Sequence, residues 1–291
     1  MMFDVPTTLS PSRVDSFMSC PLAFRFSSIE KLPDPPSRAS VLGTHVHRIL
    51  ELLFEHAPTE RTKAAVSAAI TQATDELRVD RDFVYLAFDV DKERAFLDEA
   101  AQLTRSAVAM QDPSSVDVVA LEKWVEAPVG PVTLRGIIDR LERVNGRLVV
   151  SDYKTGRAPR QGFEQSALSG VRFYAVLCEA ALGERPDAVQ LLYVRSGDTI
   201  LVQPTDANRR LMENRVTAVH GAIGRACASG EFPSRTSALC SFCAYKQWCP
   251  EFGVIRDAQR SRHRRCIRGL NDDNRMASRS ARPNRCPRSQ D

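Results

Sequence analysis

Two aspartates and one lysine near the middle of the chain have the types and the spacing for metal-assisted chemistry on a phosphate. They lie in DRLERVNGRLVVSDYK, the stretch from Asp139 to Lys154. Asn145 and Gly146 separate two alternating apolar runs, a pattern typical of a two-residue hairpin turn because both turn residues need positive φ. The register of such a turn places Asp139 directly opposite Asp152. Lys154, two residues further along, points to the same face.

Two facing carboxylates require a compensating interaction, because like charges across two strands destabilise a sheet by up to roughly 1 kcal/mol. A divalent cation between them reverses the sign of that interaction, and Mg²⁺ is usually held by one or two carboxylates together with phosphate oxygens. A lysine beside the metal can orient a water molecule and stabilise charge that develops on a phosphate. The alternative is a chance cluster of charges on an exposed strand. Against it, Val149 and Val150 indicate that the second strand is largely buried, where unpaired charge is costly.

The elements that must position these residues follow the order of a mixed α/β domain. Ser10 and Pro11 predict the start of a helix that ends near Cys20, and apolar residues at helical spacing predict a helix in VLGTHVHRILELLFEH. Three short β-branched segments separated by turn signals follow from about residue 116. The other predicted helices are at about 61–78, 91–110, 163–182 and 206–229, and the predicted strands are VDVVALEKWVEA, PVTLRGIIDRLERV, RLVVSDYK, AVQLLYVR and TILVQP.

The charge of the chain is unevenly distributed. The net charge is +4, but residues 256–291 contain eleven arginines and four aspartates, so the rest holds 29 basic against 32 acidic residues. A broadly basic nucleic-acid-binding surface is therefore excluded, and any such site is a local groove. The tail has almost no large apolar residues and is interpreted either as a disordered basic arm or as an out-of-frame translation. No apolar run is long enough to span a bilayer and no secretory signal is present, so we expect a cytoplasmic protein.

The motifs GIIDRLERV and RLVVSDYKTG resemble the core of the RecB-family exonucleases, within the PD-(D/E)XK nuclease superfamily. The resemblance runs from about Leu9 to Pro250 and implies a restriction-endonuclease-like α/β core, with a mixed sheet flanked by helices. It implies that Asp139 and Asp152 bind Mg²⁺ or Mn²⁺ and that Lys154 is the catalytic lysine.

The family also carries a G-x-x-x-H helix whose histidine completes the metal shell. Gly43 and His47 match this motif in GTHVH, so the resemblance assigns His47 to the metal. A lone helical histidine is otherwise more often structural. His45 lies about 200° around the helix from His47, so the two cannot face one metal ion.

One motif is incomplete. The family usually has Gln-x-x-x-Tyr on the helix after the D-x-K strand, and Tyr174 matches the tyrosine, which we assign to the catalytic site with core packing as the alternative. The glutamine position is Gly170, and Gln165 lies at the wrong helical phase to replace it. A glycine within a helix costs up to about 1 kcal/mol relative to alanine. The loss of the polar side chain indicates weakened activity, altered DNA contact or a divergent member.

A cysteine cluster near the end of the chain predicts a second metal centre. Cys240, Cys243 and Cys249 form a C-x2-C-x5-C array, and four thiolates suit either an iron–sulfur cluster or structural zinc. The resemblance, which extends here to the related CRISPR-associated exonucleases, implies a [4Fe-4S] cluster with Cys20 as the fourth ligand. Such a centre would act as a staple that joins distant parts of the chain. Unliganded cysteines are the alternative.

These observations predict a metal-dependent DNA exonuclease that acts in DNA repair or recombination. We expect residues 1–255 to form the nuclease domain, with a helical part to about 112, a catalytic core to about 205 and then a helix and the cysteine cluster. The expected partners are DNA with single-stranded character and, because no Walker A motif is present, a separate helicase. The alternatives are a DNA-binding or scaffolding module with little catalysis and a zinc-ribbon-like interaction protein.

Overall fold

The computed structural model describes residues 2–160 and 165–252. The chain divides into two units, Met1–Arg235 and Thr236–Asp291. The predicted basic tail lies outside the described residues, as does the predicted start of the helix at residue 163.

The first unit contains the predicted α/β succession of elements. Its helices are α1 (Pro11–Ser19), α2 (Pro21–Phe24), α3 (Arg38–Glu55), α4 (Lys63–Arg78), α5 (Arg81–Tyr85), α6 (Val90–Met110), α7 (Gln165–Leu182) and α8 (Asp206–Ser229). Its strands are β1 (Thr8–Leu9), β2 (Asp117–Val129), β3 (Val132–Val144), β4 (Arg147–Lys154), β5 (Ala188–Tyr193) and β6 (Asp198–Val202). The predicted longer helices and all five predicted strands are present. The sequence did not predict β1, α2 or α5, which are short.

Helix starts follow the capping residues in the sequence. The Ser10 side chain accepts a hydrogen bond from the backbone N–H of Arg13, and Pro11 occupies the first helical position of α1. Ser37 and Ser40 form a reciprocal capping box at the start of α3. Each such cap satisfies backbone donors that a helix N-terminus leaves unpaired.

The six strands form one mixed sheet. β2, β3 and β4 are antiparallel neighbours, β4 pairs with β5 in parallel, and β5 pairs with β6 in antiparallel. β1 pairs in parallel with β3 at Thr133 and Leu134. On the opposite side of β3, these two residues pair with β2. The α7 helix provides the crossover that a parallel β4–β5 pair requires. The prediction of a restriction-endonuclease-like mixed sheet flanked by helices is confirmed.

Two helical layers cover the sheet. The apolar faces of α3 and α6 meet side chains from the sheet in one buried cluster, which includes Leu50, Phe96, Tyr153 and Leu192. The helix α4 packs on the far side of α3 through a smaller cluster around Ile49. On the other side, α7 contacts β2, β3 and β5, and α8 packs against α7. The central strand β4 is therefore buried almost throughout.

The second unit is described from Thr236 to Phe252. It consists of three short 3-10 segments, Ala238–Phe242, Lys246–Trp248 and Pro250–Phe252. The Ser237 side chain accepts a hydrogen bond from the backbone N–H of Leu239 at the start of the first segment.

Within the described parts of the chain, every helix is too short or too polar to cross a lipid bilayer.

Candidate active site

The hairpin between β3 and β4 has the predicted turn. Asn145 and Gly146 adopt φ values of 52° and 79°, as a type I′ turn requires. The pairing runs from Val144↔Arg147 to Arg140↔Ser151, and this register is confirmed. Asp139 and Asp152 come one step beyond the last backbone-paired residues.

Beyond that point β3 and β4 diverge, and side chains replace the backbone hydrogen-bond partners of β4. Tyr153 would be the next residue of β4 to exchange backbone hydrogen bonds with β3, because such pairs alternate along an antiparallel ladder. Its N–H instead donates to Asp139 Oδ2 at 2.8 Å. Its carbonyl oxygen lies 2.9 Å from His47 Nε2. The fork in the sheet therefore brings Asp139 and His47 to the strand that carries Asp152.

Asp152 and Lys154 lie side by side next to this fork. Lys154 Nζ is 2.6 Å from Asp152 Oδ2. The carboxylate is 8% exposed, whereas the lysine side chain is 44% exposed. Burial lowers the pKa of Lys154, but the charge and hydrogen bond of Asp152, together with Asp139 and Tyr193, raise it by more, so the net pKa is above its ordinary value. The amine is therefore held as a cation at the edge of the cleft.

The two histidines of α3 point to different surroundings, as predicted. His47 Nδ1 is 3.5 Å from Asp139 Oδ2. His45 is buried against Phe96, with ring centroids 6.1 Å apart, and burial lowers its pKa to about 4. Gly43 places α3 close to the chain after β4, since a Cβ at this position would be 3.4 Å from the Thr155 hydroxyl.

A third carboxylate, Glu122 on β2, belongs to the same group and was missed from the sequence. Leu121 pairs with Arg140 and Lys123 with Ile138, so Glu122 lies opposite Asp139. The signal was available, because the two-residue turn after Val129 fixes the β2–β3 register as the Asn-Gly turn fixes the next one. Glu122 has a φ of 41°, a conformation that costs a non-glycine residue roughly 1–3 kcal/mol and is concentrated at functional sites.

Glu122, Asp139 and Asp152 thus lie on three successive strands and repel one another. Burial, followed by the Asp152 charge, raises the pKa of Asp139 to about 6. Burial, followed by the Asp139 charge, raises the pKa of Glu122 to about 7. Ligand atoms of His47, Glu122 and Asp139 all lie within 4.8 Å of one another. Desolvation and mutual repulsion are the conditions that a bound cation would relieve.

A cleft of about 790 Å³ opens beside Asp152 and Lys154. Tyr174 on α7 lines it and packs against Gly136 of β3, where a Cβ would be only 3.0 Å from the ring. Burial, then Asp152, raises the pKa of the Tyr174 hydroxyl, which keeps it a hydrogen-bond donor. Gly170 also lines the cleft, and no atom of the described residues lies within 4 Å of a Cβ placed there. A Cβ at this position therefore meets no clash with the described residues.

A buried polar network lies against the opposite face of the hairpin. Arg140 donates to Glu142 at 3.1 Å and to the hydroxyl of Tyr153. Ser151 and Gln190 donate to the same Glu142 oxygen at 2.5 and 3.0 Å. The network fixes the side chain of Tyr153, whose backbone holds Asp139 and lies 2.9 Å from His47.

The predicted cluster cysteines are distributed over both units. In the first unit, the Cys20 sulfur accepts the backbone N–H of Arg235 at 3.5 Å. In the second, the Cys240 sulfur accepts the backbone N–H of Ser237 at 3.3 Å. Cys243 and Cys249 follow at the ends of 3-10 segments. The role of these cysteines as cluster ligands stays a prediction.

Comparison with known proteins gives two distant relatives. Over 165 residues the chain is 26% identical to one subunit of an ATP-dependent helicase/deoxyribonuclease from Streptococcus mutans. That match takes in 53% of this chain but only 14% of the longer relative. The chain is also 23% identical to the Gene 69 protein of Mycobacterium phage L5, over 86% of this chain and 100% of that protein.

A solved structure shares the fold. It comes from Eubacterium rectale and is described as a candidate exonuclease; it covers 86% of this chain and 90% of its own, with a TM-score of 0.50 and 11% identity. The family model of the PD-(D/E)XK nuclease superfamily matches residues 8–250, a range that includes the carboxylates, the lysine and the fork between β3 and β4. The chain therefore belongs to the PD-(D/E)XK nuclease superfamily.

Proposed function

We propose that this chain is a divalent-metal-dependent exonuclease that hydrolyses phosphodiester bonds at DNA ends. Membership of a nuclease superfamily supports hydrolysis of nucleic acid. The observation that carries the proposal is the fork in the sheet. There Asp139 is held by the Tyr153 backbone, and Asp152 lies 2.6 Å from the Lys154 ammonium.

The donor set fits a hard divalent cation. His47, Asp139 and Asp152 would hold it, with Glu122 as an additional carboxylate, and carboxylate oxygens with one imidazole suit Mg²⁺ or Mn²⁺. The carbonyl of Tyr153 can only accept, so His47 Nε2 carries the proton and the Nδ1 lone pair faces the Asp139 carboxylate at 3.5 Å. A cation bound between these two atoms would interact favourably with both. A cation bound there would polarise the scissile phosphate and lower the pKa of the attacking water.

The residues of the chain supply the positioning. Asp139 and His47 are both oriented by the backbone of Tyr153 on β4. The Lys154 ammonium directs N–H donors into the cleft, where it orients the attacking water and offsets negative charge that develops on the phosphate. Tyr174 presents a protonated hydroxyl to the same cleft. The half-exposed lysine and the cleft leave room for a phosphate to approach.

The proposed biological setting is DNA repair or recombination, with single-stranded DNA or DNA with single-stranded ends as substrate. The similarity to part of a helicase/deoxyribonuclease supports a helicase as the partner that delivers such DNA. Asp152 of the acidic group lines the cleft, and so do three cations, Lys154, Arg135 and Arg157. These cations would attract the phosphate backbone of DNA.

A second candidate function is a DNA-binding or scaffolding module with weak catalysis. Gly170 motivates it, because the cleft lacks the amide that the family motif places there. Under this alternative, DNA binding would persist and Lys154→Ala would change no cleavage rate.

The [4Fe-4S] centre on Cys20, Cys240, Cys243 and Cys249 is also proposed, with zinc as the alternative. Backbone N–H donors at the sulfurs of Cys20 and Cys240 suit thiolate ligands of either metal. Protein purified without oxygen separates the two, because an iron–sulfur protein absorbs broadly at visible wavelengths and a zinc protein is colourless.

Exonuclease action is tested with matched linear and covalently closed circular single-stranded DNA. The proposal expects Mn²⁺- or Mg²⁺-dependent release of nucleotides from the linear strand, with the circle left intact. Cleavage of the circle at a similar rate would show that the protein is an endonuclease and not an exonuclease. No cleavage of either DNA would favour the scaffolding module.

A further inference from the structure

An exposed aromatic side chain lies at the cleft beside the acidic group. Trp124 on β2 is 55% exposed, and its pairing partner on β3, Ile137, is 43% exposed. Single exposed apolar residues are ordinary on protein surfaces. These two, however, are paired across strands and line the cleft together with Asp152 and Lys154.

The strand geometry fixes how far Trp124 lies from the carboxylates. Trp124 is two residues after Glu122, and its partner Ile137 is two residues before Asp139. Two residues of strand span about 7 Å. A nucleotide whose phosphate lies at the carboxylates therefore has a neighbouring base within reach of the indole.

A cation accompanies the ring. The Arg135 guanidinium carbon lies over the Trp124 ring, 5.7 Å from its centroid. Arg135 lines the same cleft. The guanidinium thus holds the indole in a fixed plane by a cation–π contact and keeps N–H donors for a phosphate oxygen.

We infer that Trp124, with Arg135, is a stacking platform for an unpaired nucleobase next to the scissile phosphate, which selects single-stranded DNA over duplex. This inference rests on the proposed function and names its substrate class. Aromatic side chains and basic groups are the two components by which proteins bind single strands without reading their sequence. In a duplex the base faces are occupied by their neighbours, so the indole gains no partner there.

The test is a binding measurement that needs no cleavage. Labelled single-stranded DNA and a blunt duplex of the same sequence are titrated in EDTA with the parent, Trp124→Ala and Trp124→Phe. Base–aromatic stacking predicts that Trp124→Ala weakens single-strand binding roughly 5- to 150-fold. Duplex binding should stay within about twofold, and Trp124→Phe should retain most of the parent affinity because phenylalanine keeps a ring. The matched control is Val119→Ala, an exposed apolar residue on the same strand.

A single abasic position moved along the strand identifies the stacked base. In the parent, one position should weaken binding by a factor similar to that of Trp124→Ala, and this loss should vanish in the Trp124→Ala variant. Equal single-strand affinities of Trp124→Ala and the parent would overturn the platform, even if metal-dependent cleavage is normal. Normal Trp124-dependent binding without any cleavage would overturn the nuclease proposal alone, and absence of single-strand binding in EDTA would overturn the platform alone.

Discussion

The Asp139 carboxylate accepts a hydrogen bond from the backbone N–H of Tyr153 at 2.8 Å, at the point where β3 and β4 part. The carbonyl of the same residue lies 2.9 Å from His47 Nε2. One residue, between Asp152 and Lys154, therefore organises both an acid from β3 and a histidine from α3. The fork leaves these backbone groups without strand partners, and the site residues use them.

The metal-free protein should lose stability as pH rises. The pKa of Asp139 is raised from 3.8 to about 6 and that of Glu122 from 4.5 to about 7. The folded state then binds more protons than the unfolded state, so the free energy of unfolding falls between about pH 4 and pH 7. We expect a lower denaturant midpoint at pH 8 than at pH 5 in EDTA, and recovery with Mn²⁺ at pH 8. Asp139→Asn should flatten this pH dependence; an equally steep profile in that variant would contradict the account.

Glu122 should contribute to metal affinity. Removing a group that supports a metal site typically costs 10- to 100-fold in affinity or activity, so Glu122→Gln should raise the Mn²⁺ concentration for half-maximal cleavage by roughly that factor. The matched control is Glu126→Gln, four residues further on β2 and exposed. Titration of the cleavage rate with Mn²⁺ measures both. If Glu122→Gln and Glu126→Gln require the same Mn²⁺ concentration, Glu122 lies outside the metal shell.

Gly170→Gln should increase both the stability and the cleavage rate of the protein. The position is helical, and among the described residues no atom lies within 4 Å of a Cβ placed there. The change should therefore raise the free energy of unfolding by up to about 1 kcal/mol through helix propensity. It should also increase the cleavage rate by restoring an amide to the cleft. Gly224→Gln is the matched control, because Gly224 is an equally open glycine of α8. The control should gain stability without a faster rate; equal rates in both variants would show that the missing amide is unimportant.

The buried polar network behind the hairpin should contribute to the free energy of unfolding. Arg140→Gln leaves the Glu142 carboxylate buried without its cation, and breaking a buried ion pair in this way typically costs about 3–5 kcal/mol. The control is Arg143→Gln, on the same strand, whose partner Glu184 is exposed; it should shift the midpoint little. Urea unfolding compares the two. Similar midpoints would mean that the network does not stabilise β3 and β4.

Much of the fold could be predicted because local signals determine it. The Asn145–Gly146 turn admits one register, and that register places Asp139 and Asp152 next to each other. Ser10 and Pro11 mark the start of α1 for the same reason, a requirement of the backbone at one position. Helices α4, α6 and α8 follow from apolar periodicity over several turns.

The remainder depends on contacts that sequence patterns do not encode. The convergence of α3 on the fork is a tertiary contact, so His47 needed the family resemblance as well as its helical phase. Glu122 was hidden because a glutamate on a strand is usually a solvated surface residue, although the β2–β3 turn predicts its position. The two hydrogen-bonding groups of Tyr153 could not be foreseen, because they become available only where the ladder ends.

The central claim is that Asp139, Asp152 and Lys154 catalyse metal-dependent hydrolysis of DNA. The most direct test follows end-labelled single-stranded DNA with wild-type protein and Asp152→Ala, each with Mg²⁺, with Mn²⁺ and with EDTA. The account predicts that the wild type shortens the strand only with metal and that Asp152→Ala leaves it intact while remaining folded. An Asp152→Ala variant as active as the wild type would contradict it.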